Sequence, residues 1–384
     1  MVPLKYNARS LFVRKITTVA AASGIALVVF VFAAALMLDE GIRSALATGG
    51  RSDNVIVLRK GSDAELASAI GNDYLGLLRG PSQVAQGAGV IGEIVIIVNA
   101  ELTDGSGISN VLVRGTSSAG LAFRPELRII SGRMPKPGTN EVIVGAGIAG
   151  RFKGLVVGHS FDIRRNRPLQ VVGEFVAAGS SYESEVWGDL DVIRNALGRQ
   201  AVVSSARVRL NSASDFDAYR ATIENDKRFS VKAMRENDYY KKQSTATSQF
   251  LTGMGIAIAI MFSIAAMIGA AITMNGAIAH RSREIGTLRA LGFSRLSILS
   301  SFVFEAIALA VLGGAVGSLC VLLLSLVSFP VMNFQTFSEI VIRFRATPAV
   351  IAKALVFSGC MGLIGGLLPA IRASRISPVE AMRG

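Results

Sequence analysis

Residues 281–305 read RSREIGTLRALGFSRLSILSSFVFE, a charged stretch between two long apolar runs. Ile285, Leu288 and Leu291 recur at helical spacing, and Leu296, Leu299 and Phe302 resume the pattern, so the segment predicts a short helix with one apolar stripe. Arg283, Glu284, Arg289 and Arg295 decorate its other surfaces. Gly286 permits close backbone approach, and Gly292 suits a left-handed helix end. Two readings fit. The segment is an interfacial helix lying on lipid headgroups, or it is a knob that docks into a partner, joined rigidly to a span on each side.

The flanking runs decide the class of protein. Ile16–Leu38, Gln243–Ala279, Ala306–Ser338 and Ala354–Ile371 carry no Asp, Glu, Lys or Arg over 23, 37, 33 and 18 residues. About 20 apolar residues cross a bilayer core, and a backbone with no water to bond must satisfy itself as a helix. Four spans follow. The first is longer than the 7–15 apolar residues of a signal peptide, so it reads as a retained anchor.

Charge agrees with this. The 384-residue chain has a net charge of +13. Residues 39–247 hold 26 basic and 23 acidic residues, whereas the remainder holds 14 and 4. The excess therefore sits beside the apolar runs, the pattern of a membrane protein and not of a nucleic-acid binder. Lys5, Arg9, Arg14 and Lys15, the cluster Arg281 to Arg295, and Arg372, Arg375 and Arg383 all fall on one side of a four-span topology. Positive charge marks the cytoplasmic side, so both termini are expected there, with Arg343 and Arg345 a minor exception. The expected division is a lead-in helix over 1–15, spans at 16–38, 248–279, 298–328 and 349–371, an outer segment at 39–247, a cytoplasmic coupling segment at 280–297, an outer link at 329–348 and a tail at 372–384.

The outer segment reads as α+β. Short β-branched runs at 54–60, 92–99, 108–115, 140–145, 159–165, 169–176, 206–210 and 228–234 predict strands. Residues 63–79 and 214–226 predict helices, the second with Ser214 as its cap. Residues 236–251 predict a helix running into the second span. The only cysteines, Cys320 and Cys360, lie in spans, so no disulfide supports this segment. The fold class is four transmembrane α-helices with a large α+β extracytoplasmic domain inserted between helices 1 and 2.

Catalytic chemistry is not written here. Gly145, Gly147 and Gly150 follow a strand as G-x-G-x-x-G, yet Arg151 and Lys153 come next and no βαβ unit closes around them, so the stretch reads as a glycine-rich turn and short helix. The dipeptide Gly-Lys never occurs, which excludes a P-loop within these residues. His159 and His280 are far apart, which argues against a histidine metal site or triad. Glu183/Glu185 and Asp189/Asp191 read as solvated faces. Glu305 is the one acid at the start of a span, an intramembrane candidate that can snorkel or pair with Arg295 or Arg289.

The segment REIGTLRALGFSRLSIL resembles the cytoplasmic coupling segment of MacB/FtsX-type permease subunits of ATP-binding-cassette (ABC) transporters. GGLLPAIRASRISPVEAMR (365–383) is similar to the C-terminal end of that family, NARSLFVRKITTVAAASGIAL to its amphipathic lead-in helix, and LRIISGRMPKPGTNEVIVG with its continuation to its extracytoplasmic core domain. The resemblance covers nearly the whole chain.

It implies that Arg283, Glu284, Ile285, Gly286, Leu288, Arg289, Ala290, Leu291 and Gly292 couple to an ATPase. The expected partners are two copies of an ABC ATP-binding subunit on a separate chain, which would hold the ATP and Mg, this chain having no cofactor and no catalytic role of its own. A second permease copy completes a homodimer, to which the glycine-rich stretches 313–317 and 359–366 are suited. A periplasmic adaptor and outer-membrane channel are further expected partners, with no nucleic acid, in the cell inner membrane. Two functions stay open. One is export of a substrate, favoured by the large outer segment. The other is mechanical signalling without cargo, as in control of a cell-wall hydrolase, or release of a lipid or lipoprotein.

Overall fold

The computed structural model describes residues 15–47, 51–87, 89–228, 230–333 and 338–377. The lead-in helix expected before residue 15 and the end of the tail lie outside them. The chain divides into two units. One comprises Met1–Glu40, Gln249–Val327 and Arg343–Gly384; the other comprises Gly41–Ser248 and Ser328–Ile342.

The first unit is helical. Its elements are α1 (Lys15–Ala47), α2 (Glu236–His280), α3 (Ser282–Ala290), α4 (Arg295–Leu322) and α5 (Pro348–Ser374). All but α3 are long and apolar enough to cross a membrane. Both α1 and α2 contribute residues to each unit.

Lipid is as apolar as leucine, so helices in a bilayer associate through close packing. Ile25, Val29, Ala33 and Met37 recur every fourth residue on α1 and form a buried stripe against Ala310 and Val321 of α4 and Val350 and Ala354 of α5. Phe32 stacks on Phe357 at 4.1 Å between ring centroids. Glycines bring the backbones together. A Cβ at Gly317 would stand 2.4 Å from the Ala26 carbonyl oxygen, and one at Gly366 2.3 Å from Ala306 Cβ. The glycine-rich stretches that the sequence offers to a dimer interface thus serve contacts between spans of one protomer.

The second unit is built on a ten-stranded sheet. Its strands, in chain order, are β1 (Asn54–Arg59), β3 (Val90–Glu101), β4 (Ile108–Thr116), β5 (Leu127–Gly132), β6 (Glu141–Gly145), β7 (Ser160–Arg164), β8 (Arg167–Ala177), β9 (Glu185–Asp189), β11 (Ser205–Arg209) and β12 (Val231–Arg235). The two-residue β2 (Ile70–Gly71) and β10 (Val202–Val203) pair with each other, as do β13 (Ser328–Met332) and β14 (Glu339–Arg343). The order across the sheet is β12-β1-β11-β3-β4-β9-β6-β8-β5, with β7 on β8.

The strand β3 belongs to two lobes. Val90–Glu93 pairs with β11, and Ile94–Glu101 pairs with β4. On one face each lobe has its own core. Val55, Val57, Val90, Ala206 and Val208 pack with Tyr219 and Ile223 of the helix Phe216–Glu224. Ile94, Ile96, Val111, Val113 and Val186 pack with Ile193 of the helix Leu190–Ala196. Strand side chains alternate between faces, so Ile56, Leu58, Phe175 and Trp187 turn the other way. There they meet Tyr239 and Tyr240 from the first turns of α2.

Three expectations change. Residues 63–79 are not one helix but a 3-10 turn, Glu65–Ala67, the strand β2 and a helix, Tyr74–Arg79. Pairing of β2 with β10 and the inward pull on Glu65 override helical propensity. Ser212, not Ser214, is the capping residue, and it caps a 3-10 turn, Ala213–Asp215, that leads into the helix Phe216–Glu224. The Ser212 hydroxyl accepts from Ser214 N while Asp215 accepts from Ser212 N, a capping box. The glycine-rich stretch after β6 forms turns without a helix.

Replacing Gly317 by leucine forces a side chain against α1. Gly317→Leu is expected to destabilise the chain by about 1–3 kcal/mol, the usual cost of overpacking, read as a lower Tm in detergent.

Candidate functional site

The deciding stretch forms a helix, a tight reversal and a second helix. At the end of α3, Gly292 N donates to Arg289 O at 3.1 Å and Phe293 N to Leu288 O at 3.1 Å. Gly292 has φ +91°. This double bond with a left-handed glycine is a Schellman ending. Ser294 then caps α4, accepting from Ser297 N at 3.2 Å.

The reversal resets the helical period. Ile285 is buried with Ile278, Ile298, Phe302 and Ala370, and Gly286 is buried beside it. Leu291 and Leu296, expected on one stripe with Ile285, are 73% and 74% exposed. Ile298 takes the inward place of Leu296. Arg283, Glu284, Ala290 and Gly292 are exposed as well, while Leu288 and Arg289 are half-buried. The result is a tip that shows two leucines beside charged groups, on a base held by its own core.

Arg281 ties that base together. Its guanidinium donates to Glu284 at 3.1 Å and to Glu305 at 3.2 Å, and lies 5.4 Å above the Phe302 ring. Glu305 thus pairs with Arg281, not with the expected Arg295 or Arg289. Arg281 stands at the junction of α2 and α3 and faces α4, which puts its charge within reach.

The sheet unit holds a second arrangement. Arg114, Arg124 and Arg207 are all but fully buried, as are Glu65, Glu93, Glu185 and Glu236. Their positions follow from alternation. Val113 of β4 and Val208 of β11 face the lobe cores, so their neighbours Arg114 and Arg207 face the other way, as does Glu93. Arg124 embraces Glu93 with bonds of 2.8 and 2.9 Å. Arg114 reaches Glu185 at 2.7 Å, Glu93 at 2.9 Å and Glu65 at 3.2 Å. Arg207 reaches Glu65 at 2.9 Å, Glu93 at 3.2 Å and Glu236 at 2.7 Å.

Neutral donors complete the network. Ser205 donates to Glu65, Thr116 to Glu93 and Trp187 to Glu185. Asn54 donates to Glu236 and accepts from the half-buried Arg209. Burial alone would raise the Glu93 carboxyl. Arg124, Arg114 and Arg207 outweigh it and hold the group well below the ordinary range. Burial likewise opposes Arg114 and Arg207 at Glu65, and the arginines prevail.

The β13–β14 hairpin, which follows α4 in the chain, joins this unit. Glu339 accepts from Arg151 at 2.9 Å and from Ser109, and Val341 N donates to Ser184 at 2.9 Å. The stretch expected as a short link at 329–348 thus includes β13 and β14, and the second of these bonds to the sheet unit.

Two family models match the chain. The FtsX-like permease C-terminal model covers residues 256–378, and the MacB-like periplasmic core domain model covers residues 16–226, more than half of the chain. The chain belongs to the MacB/FtsX family of ABC transporter permeases. The macrolide export ATP-binding/permease protein MacB of Syntrophobacter fumaroxidans is 33% identical over 155 residues, 40% of this chain and 20% of the relative. An uncharacterized ABC transporter permease, YvrN of Bacillus subtilis, is 39% identical over 106 residues, 28% of this chain and 24% of the relative. The aligned parts thus span only a fifth to a quarter of these two relatives' lengths. Among solved structures, the periplasmic region of MacB from Actinobacillus actinomycetemcomitans covers 50% of this chain and 94% of its own at 12% identity, with a TM-score of 0.38.

In this MacB/FtsX permease the stretch 281–305 stands out in the sequence, and the ionic network does not. Glu185, read as solvated, is buried against Arg114, and Asp189 caps the helix Leu190–Ala196. The signal was available. GEIVIIVN, NVLVRGT and SARVRL each carry a charge inside a β-branched run, where a single buried charge needs partners.

Glu93→Gln leaves three buried arginines short of a carboxylate. It is expected to cost about 3–5 kcal/mol, as for breaking any buried pair. Carboxyls depressed in the folded state contribute stability above their unfolded value, and that stability is lost as pH falls below it. The Tm of the permease should therefore hold down to about pH 4.3, the ordinary glutamate value, and then drop steeply. Glu93→Gln should lower Tm at neutral pH and flatten the acid limb.

Proposed function

We propose that this permease is the membrane subunit of an ATP-driven export machine. ATP-binding subunits, two copies on separate chains, would dock on the tip formed by Arg283, Glu284, Ala290, Leu291 and Gly292. Nucleotide-driven closure would move that tip, and α2 would carry the motion to the sheet domain. The observation behind this reading is the tip itself. Exposed leucines beside charged groups, on a base fixed by Ile285, Ile298, Phe302 and Arg281, form a braced apolar point with a polar rim, as at surfaces that meet a partner.

A second permease copy would complete the dimer, with the tips on the cytoplasmic side of the inner membrane. The MacB-like core over residues 16–226 supports export of a substrate, with a periplasmic adaptor and outer-membrane channel as further partners where the cell has two membranes. The FtsX-like model over 256–378 supports a second reading, mechanical signalling to a cell-wall hydrolase without cargo.

Co-expression with the ATP-binding subunit tests the tip. Leu291→Asp and Glu284→Lys should each cut vanadate-sensitive ATP hydrolysis by about tenfold or more, the effect of losing about 1.4 kcal/mol of docking energy, while the permease still inserts and dimerises. Undiminished hydrolysis in both variants would remove the tip from the interface.

Orientation has its own check. In a Cys320→Ser, Cys360→Ser background, the exposed Ser106→Cys should react with an impermeant maleimide added outside the inner membrane. Leu296→Cys should react only after permeabilisation.

A further inference from the structure

Three observations meet at one point of the sheet unit. The strand β3 leaves β11 at Glu93 and joins β4 at Ile94, so the two lobes adjoin between these residues. Each lobe has its own apolar core on the helix-covered face, with Leu190 packed against both. At the junction, on the opposite face, Ile56 and Leu58 of one lobe and Phe175 and Trp187 of the other pack around Tyr239 and Tyr240, and beside them Arg207 from one lobe and Arg114 and Arg124 from the other converge on Glu93.

The first turns of α2 are part of that junction. Glu236, its first residue, bonds Arg207 at 2.7 Å and Asn54 at 2.9 Å. Tyr239 accepts from Glu65 N at 3.2 Å. Tyr240 accepts from Arg207 at 3.1 Å and lies 2.6 Å from the Tyr182 hydroxyl, which belongs to the other lobe. Helix α2 continues without interruption to His280.

We propose that this network is a mechanical lock, and that Arg207, Glu236 and Tyr240 are positioning residues which convert displacement of α2 into relative movement of the two lobes. The inference rests on the transmission reading given under Proposed function and names where the motion is delivered. Charge-assisted hydrogen bonds are strong and geometrically specific, and a satisfied buried network of them is rigid, so a displacement of Glu236 is passed on and not absorbed locally. Glu65 and Glu93 each hold arginines of both lobes and so tie one to the other. Glu236 forms its ion pair with Arg207 and bonds Asn54 of the same lobe, so motion of α2 pulls on the lobe that carries β11 and not equally on both.

Spin-label distances in the full chain, reconstituted in nanodiscs with its ATP-binding subunits, test the lock. Labels at Asp217→Cys, exposed on the helix of one lobe, and Arg165→Cys, exposed at the β7–β8 turn of the other, report lobe separation in the Cys320→Ser, Cys360→Ser background. The wild-type distribution should shift on trapping with ATP and vanadate. Glu236→Gln and Tyr240→Phe should lose that shift while ATP hydrolysis is retained. A core variant with a comparable loss of Tm, Ile223→Ala, should keep it, which separates positioning from mere stability.

Retention of the full shift in both lock variants overturns the proposal. Should Glu236→Gln fail to fold, Tyr240→Phe, which strands no charge, decides alone. Absence of a shift in the wild type would instead sink the transmission reading, and this inference with it.

Discussion

The carboxylate of Glu93 is the point on which the sheet domain depends. It is wholly removed from water, lies at the residue where β3 changes partners, and is held by three arginines from two lobes. A buried charge of that kind is tolerable only when its lone pairs are filled, and here the filling groups come from β4, from the segment after it and from β11. The lobes must therefore be in register for Glu93 to be satisfied. Apolar side chains of the same volume could bury as much area, yet they would accept many registers. The ionic cluster costs desolvation and returns specificity of arrangement, the best-attested use of buried ion pairs.

The membrane unit solves a different problem. With lipid outside and apolar side chains inside, little is gained by transferring surface, and shape complementarity decides. That is why Gly317 and Gly366 lie against Ala26 and Ala306, and why an α1 stripe with a four-residue period suffices to seat α4 and α5. Beside the tip, Arg281 answers both Glu284 and Glu305, so the turn carrying the exposed leucines is braced by electrostatics at its base.

How much of this could be read from residues alone depended on the range of the interaction. The spans were legible because lipid imposes a composition on every residue of a run. The strands β3, β4 and β8 were legible because their β-branched alternation is local. The break of residues 63–79 into a turn, β2 and a short helix was not, since it depends on Val203 and Arg207, far along the chain. The tip at 281–292 was visible as a motif, but its exposed leucines followed from Gly292, whose left-handed turn resets the period. The ionic cluster spans Glu65 to Glu236, and pairing over such distances leaves only a trace in sequence: a charge inside an apolar strand.

The second unit is not one continuous segment, since Ser328–Ile342 belongs to it as well as Gly41–Ser248. Glu339 and Val341 bond to residues of the larger segment. A domain exchange between relatives that moved only the larger segment would leave this hairpin behind, facing a surface it was not matched to. Recombination within the family is thereby constrained to carry both pieces together or to keep Ser109, Arg151 and Ser184, which makes the hairpin a marker of which domain grafts are compatible.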